Sequence, residues 1–118
     1  IVKGKAFDCR AGVCSVIEMM NDLEKENLNV NIVGTLTSQE EVGTRGVQVA
    51  VNKVKPDIAI VMEGTPADDT FAESYQIQTR IKKGPMLRHM DPKMIANPRL
   101  QRFALDIAKN TTYLVKMQ

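Results

Sequence analysis

The apolar positions Val13, Val16, Ile17, Met20 and Leu23 recur at i, i+3, i+4 and i+7. That spacing predicts an amphipathic helix over residues 11 to about 25. The polar run Glu24-Lys25-Glu26-Asn27 marks its exit. Residues 30–37 are rich in β-branched side chains and predict a strand. After Gly43, a short helix is expected from Gly46 to Val54, with Val47, Ala50, Val51 and Val54 on one face. Pro56 ends it, because the residue before a proline is pushed out of the α region. Ile58 to Met62 is a continuous apolar run, as expected of a strand covered on both faces. Residues 64–69 are loop by composition.

Further on, Tyr75, Ile77, Thr79 and Ile81 alternate with polar residues, which predicts an edge strand. Gly84-Pro85 interrupts, and Met86 to Met90 predicts another short strand. The last helix has the clearest signals: Asn97 as N-cap, Pro98 at the first helical position, and the stripe Leu100, Phe103, Ala104, Ile107, Ala108. Asn110 closes it, and Tyr113 to Val115 begins a further strand. The order α-β-α-β-(β)-α-β implies a mixed or parallel sheet with helices on its faces.

Composition narrows the function. The 118 residues suit one domain with one core. Sixteen Lys and Arg against 14 Asp and Glu leave a net charge of +2, without a basic stripe, and aromatics are few. Nucleic acid is therefore not an expected partner. No run reaches the roughly 18 apolar residues that span a bilayer, and no signal peptide is apparent. A cytoplasmic protein with no membrane partner is expected. Cys9 and Cys14 are five apart, would not face each other on a helix, and match no zinc spacing, so no disulfide is expected. The chain opens Ile1-Val2-Lys3 without an initiator Met and stops inside an apparent strand. Both ends predict a piece of something longer.

The candidate chemistry lies in four carboxylates. Glu40 and Glu41 follow the 30–37 run, Asp8 precedes the first helix, and Glu63 closes the apolar run 58–62. Open α/β sheets place their ligands at the carboxyl ends of strands. Acids gathered there point to a hard or borderline divalent cation. Adjacent glutamates often mark no more than a solvated turn, but this pair follows a buried-type strand and Gly43 permits a tight turn after it. Neighbours on an extended segment point to opposite sides. The pair could then supply one ligand and one free base, the division that metal-assisted hydrolysis uses. Glu63 is costly to desolvate without a cation or hydrogen bonds, whereas Asp8 taken alone would be a helix cap. His89, the one histidine, fits a surface or edge-strand position, and Met19, Met20 and Met62 fit core filler. Two other functions compete. A glycoside hydrolase needs two carboxylates roughly 5–9.5 Å apart, but the chain has no Trp to form a sugar platform. A catalytically dead α/β oligomerisation module would expose apolar faces.

Three segments carry a resemblance. Lys5-Ala-Phe-Asp8-Cys-Arg-Ala-Gly12, Ser38-Gln-Glu40-Glu41-Val-Gly43-Thr-Arg-Gly46 and Val61-Met-Glu63-Gly-Thr65-Pro-Ala-Asp-Asp69 resemble the internal motifs of the tetrahedral aminopeptidases. These are glutamyl or deblocking metallopeptidases, often labelled cellulases or endoglucanases in older usage. The later Gly84-Pro85, Met90-Asp91 and Asn97-Pro98-Arg99-Leu100 also fit, so the likeness covers essentially the whole chain. It implies a partial catalytic domain over residues 1–118 of a three-layer α-β-α sandwich with a mixed, mostly parallel sheet. It also implies two zinc or cobalt ions and peptide substrates, and the apolar faces that a partial domain leaves exposed predict a homo-oligomer. By the same resemblance Asp8 bridges the two ions, Glu41 binds one and Glu63 the other, and Glu40 is the general base that activates the attacking water. There are departures. Cys9 stands where many members have Asp or Asn; by the match it is not a ligand but alters the ligands' surroundings, and nearby metals could lower its thiol pKa. Glu63 stands where some members have Asp. The family's two histidine ligands and its inserted β domain have no counterpart here, so the isolated chain is expected to be an incomplete, inactive fragment.

Overall fold

A computed structural model of the chain describes residues 3–110 and the backbone of 116–117. It divides into two units, Ile1–Gly64 and Thr65–Gln118.

In the first unit, helix α1 spans Phe7–Leu23, but Asp8 (φ −89°, ψ 109°) and Cys9 (φ −121°, ψ 61°) are not helical. Regular α-helix therefore begins after Cys9, close to the predicted start. Asp8 is not the helix cap: that position is Ala6, in the left-handed region at φ 53°, with no side-chain cap bond. The Asp8–Cys9 peptide is cis. Of the predicted stripe, Val13, Val16, Met20 and Leu23 are half-buried and Ile17 is exposed. Gly34 receives that stripe. A Cβ there would lie 3.1 Å from Met20 Cγ and 3.3 Å from Val16 Cγ1, so the bare backbone lets segment 30–37 approach the helix.

Helix α2, Arg45–Val54, falls where it is expected. Lys55 leaves the helix in the left-handed region (φ 51°), and its N–H still reaches the Val51 carbonyl at 2.8 Å. Pro56 follows and cannot continue the ladder. Gly46 admits the start of this helix against residues 37–38: a Cβ there would lie 2.5 Å from the Ser38 carbonyl oxygen and 3.1 Å from Thr37 Cβ.

The two predicted strands need correction. Neither 30–37 nor 58–62 joins a β-ladder among the described residues. Nor is the second run covered on both faces, since Ile60 and Val61 are 73% and 75% exposed. Apolar β-branched runs favour an extended backbone, but a strand also needs a neighbour for its N–H and C=O groups. Among the described residues no large apolar side chain is fully buried.

The second unit holds β1 (Met86–Leu87), β2 (Met90–Asp91), β3 (Met94–Ile95), α3 (Pro98–Lys109) and β4 (Lys116–Met117). Strands β1 and β4 pair in parallel, Met86 with Lys116 and Leu87 with Met117. Strands β2 and β3 form an antiparallel hairpin, Met90 with Ile95 and Asp91 with Met94. The predicted 86–90 strand is thus split, and the hairpin was not foreseen. Its turn is held by the Lys93 N–H donating to Asp91 Oδ1 at 2.8 Å, a use of Asp-Pro that the sequence does offer. Helices with small parallel and antiparallel pairs fit the α/β class. Exposed His89 flanks the hairpin, where its carbonyl accepts the Ala96 N–H at 2.9 Å.

Helix α3 begins as expected. Asn97 Oδ1 accepts from the N–H groups of Arg99 at 2.9 Å and Leu100 at 3.4 Å. Its packed face is rotated from the predicted stripe, however. Leu100, Gln101, Ala104, Leu105 and Ala108 are the shielded positions, while Phe103 and Ile107 are exposed. Gln101, 8% exposed, explains the rotation: its side-chain amide donates to the Arg88 carbonyl at 2.6 Å. Burying a polar group requires such a bond, and once made it fixes the helix face.

The edge strand predicted over Tyr75–Ile81 is not formed. Asp68 holds this segment instead. Its carboxylate accepts the backbone N–H of Gln78 (3.0 Å) and Thr79 (2.8 Å), while Thr79 Oγ1 donates to the Pro66 carbonyl at 2.7 Å. A side chain that caps backbone donors competes with strand pairing. The Tyr113–Val115 strand lies outside the described residues.

The two backbone N–H bonds lower the Asp68 pKa below its ordinary 3.8. A depressed carboxylate contributes stability that is present above the unfolded pKa and lost as pH falls through the folded one. The Gln78 and Thr79 amide shifts should therefore titrate with a midpoint below 3.8, and NMR at decreasing pH checks it. A midpoint at or above the ordinary value would remove the anchoring role.

Candidate metal centre

The site is built where the start of α1 meets the end of the 58–62 run. Gly12 is the buried point of contact. A Cβ at Gly12 would collide with the Met62 carbonyl oxygen and lie 2.8 Å from Cys9 Sγ. Only glycine lets the two backbones meet so closely.

Cys9 ties the junction together. Its sulfur accepts the N–H of Gly64 at 3.0 Å and of Gly12 at 3.3 Å, and its S–H points to the Met62 carbonyl at 3.8 Å. Gly64 N–H also reaches Glu63 Oε1 at 2.7 Å. Asp8 enters from the non-helical turn before Cys9. A carboxylate oxygen of Asp8, Cys9 Sγ and a carboxylate oxygen of Glu63 all lie within 4.8 Å of one another. Among the described residues this is the one such grouping of acid, thiol or imidazole side chains.

The electrostatics follow from those contacts. Burial raises the Cys9 thiol pKa above its ordinary value, and its hydrogen bond to Glu63 adds to the rise. Glu63 is lowered, first by that bond from Cys9 and then, against some desolvation, by the Gly64 N–H and by Asp8. In the metal-free protein the proton thus rests on sulfur and the charge on Glu63. Cys9 and Cys14 are both free thiols.

This donor set fits a divalent ion. Ligands on one ion at bonds of about 2.0–2.3 Å stand within roughly 4.6 Å of each other, so the observed span needs little closing movement. Both carboxylates are solvent-accessible, which leaves an entry path.

Of the four predicted acids, the structure brings together Asp8 and Glu63. Glu40 and Glu41 are exposed and do not belong to this grouping. The extended geometry used to divide them between ligand and base does not hold. The chain coils here, with the Glu40 carbonyl accepting the N–H of Gly43 at 3.1 Å and of Thr44 at 2.8 Å. Gln39 (φ 60°), Gly43 (φ 112°) and Thr44 (φ 53°) are left-handed. With Ala6 ahead of Asp8, three of the five non-glycine left-handed residues flank predicted site residues. Strain of this kind gathers where side chains are aimed for a purpose. Gly12 and Gly64, on which the junction depends, were not singled out from the sequence; the glycine following Asp8-Cys9 by three residues was the available signal.

A loop-borne carboxylate pair beside a thiol, at the start of a helix, makes this an α/β module with a candidate metal site. The comparisons specify it. The family model for M42 glutamyl aminopeptidase matches residues 1–118, and the chain belongs to that family. It is 34% identical over 117 residues to the glutamyl aminopeptidase of Lactococcus lactis subsp. cremoris, a match covering 95% of this chain and 32% of that protein. It is 32% identical over 103 residues to the lysyl aminopeptidase of Pyrococcus furiosus, covering 87% of this chain and 28% of the relative. The crystal structure of a TET aminopeptidase from a marine-sediment Thaumarchaeota archaeon aligns with a TM-score of 0.84 at 36% identity, over 98% of this chain and 33% of that one. The chain thus spans about a third of the length of the relatives it matches.

Gly12→Ala should lower stability by about 1–3 kcal/mol, as overpacking does, and separate Glu63 from Asp8. Urea denaturation with a metal titration checks it. Unchanged stability together with unchanged metal binding would mean that the junction is not close-packed.

Proposed function

We propose that this chain is part of the catalytic domain of a metal-dependent aminopeptidase that removes N-terminal residues from peptides. The observation that carries this reading is the meeting of Asp8 and Glu63 at Gly12, in a chain whose whole length matches a peptidase family. By the family likeness, Asp8, Glu41 and Glu63 would be the residues of this chain that hold two divalent ions, with Asp8 shared between them. Bound zinc or cobalt would supply Lewis acidity at the scissile carbonyl and make water nucleophilic near neutral pH. Glu40 takes the proton of the attacking water and returns it to the leaving amine, the ordinary double duty of a carboxylate base. The surrounding fold is proposed as a three-layer α-β-α sandwich with a mixed, mostly parallel sheet. The exposed apolar runs 30–37 and 58–62 are its natural central strands once neighbours pair with them. The whole protein is proposed to be homo-oligomeric and cytoplasmic. Among the described residues no helix is long and apolar enough to cross a membrane. The 118 residues by themselves are proposed to be inactive, with the remaining ligands supplied from outside this stretch.

A carboxylate glycosidase is disfavoured by the family match, and chelation separates the two. In the full-length protein, EDTA should abolish release of p-nitroaniline from aminoacyl substrates, and zinc or cobalt should restore it. Glu40→Gln should lower kcat by about 10²–10⁴-fold with metal content unchanged, whereas Asp8→Asn should lose metal as well. Full activity in the presence of chelator, or in Glu40→Gln, would defeat the assignment.

A further inference from the structure

We infer that Cys9 is itself a metal ligand in this protein, giving the Asp8–Glu63 site a soft sulfur donor beside its two carboxylates. This rests on the metal reading just given but goes beyond it, because a role for Cys9 only in the ligands' surroundings would need no contact with the ion.

The position of the sulfur carries the inference. Cys9 Sγ lies within 4.8 Å of a ligand oxygen on both Asp8 and Glu63, close to the span that a single ion would organise. Its other polar neighbours are the N–H groups of Gly64 at 3.0 Å and Gly12 at 3.3 Å, and the Met62 carbonyl, which the S–H meets at 3.8 Å. Both N–H groups point at the sulfur itself. They also fix the sulfur's orientation, as hydrogen bonds behind a metal ligand do. The residue is half-buried, and its sulfur sits close against the helix start, 2.8 Å from where a Cβ at Gly12 would lie. On metal binding the S–H proton leaves to solvent and a metal–sulfur bond forms, with no change of oxidation state. The consequence is selectivity. A site of carboxylates alone favours hard ions, and a thiolate shifts preference toward zinc, cobalt and cadmium over manganese or magnesium.

The test uses the full-length protein, emptied with chelator and titrated with cadmium or cobalt alone. Calorimetry measures binding, and near-ultraviolet absorption reports thiolate-to-metal charge transfer. Wild type and Cys14→Ser should develop the band in step with binding. Cys9→Ser should bind without it, and its preference for cadmium over manganese should fall. Binding by wild type without a band, or a band that persists in Cys9→Ser, overturns the inference and leaves the carboxylate site standing. No binding of any ion overturns both. If Cys9→Ser does not fold, wild type alone decides: saturating cadmium should protect Cys9, but not exposed Cys14, from iodoacetamide, as read by mass spectrometry. Equal labelling of Cys9 with and without metal also overturns it.

Discussion

The close approach of two backbones at Gly12 is the constraint on which this site depends. With no side chain there, the first turn of α1 rests on the carbonyl of Met62, and Cys9 Sγ can bond to the N–H groups of both Gly12 and Gly64. Asp8 and Glu63 are 55 positions apart in sequence, yet their oxygens come within 4.8 Å because this junction fixes the chain immediately beside each of them. Each is positioned by its neighbour in the chain.

The same junction distributes charge in the metal-free protein. Burial and the neighbouring Glu63 raise the Cys9 thiol, while the contact with Cys9 lowers Glu63, so the proton stays on sulfur and the charge on the carboxylate. A cation arriving there would meet a ready carboxylate and a sulfur that must first release a proton. Metal affinity at such a site rises with pH for that reason. The carboxylate side is preorganised by the Gly64 N–H at 2.7 Å. Backbone donors of this kind orient ligands without adding a competing charge.

The rest of the chain is less self-sufficient. Segments 30–37 and 58–62 carry the composition of central strands but leave their apolar side chains open among the described residues. Three glycines nevertheless set how backbone meets helix: Gly34 under Met20, Gly46 over Ser38 and Gly12 under Met62. Contact between helix and extended segment is thus set by a glycine on one partner at each of these crossings. The relatives are about three times as long, and they are where such covering segments would be sought.

Local chemistry was legible from the residues themselves. The Asn97 cap, the exit of α2 before Pro56 and the amphipathic run of α1 each depend on side chains within a few positions, and all three stand as the spacing implied. Asp8 and Glu63 were also identifiable, because an acid beside an apolar run needs a compensating partner. What the residues alone left open depended on contacts far apart in sequence. Gln101 turned α3 by bonding to Arg88, Asp68 claimed the backbone donors that an edge strand over 75–81 would have used, and the coil at Glu40–Thr44 removed the alternation expected of an extended pair. Periodicity records which side chains prefer water. It carries no information about which carbonyl lies opposite a given glycine, and that tertiary contact brought Asp8, Cys9 and Glu63 together.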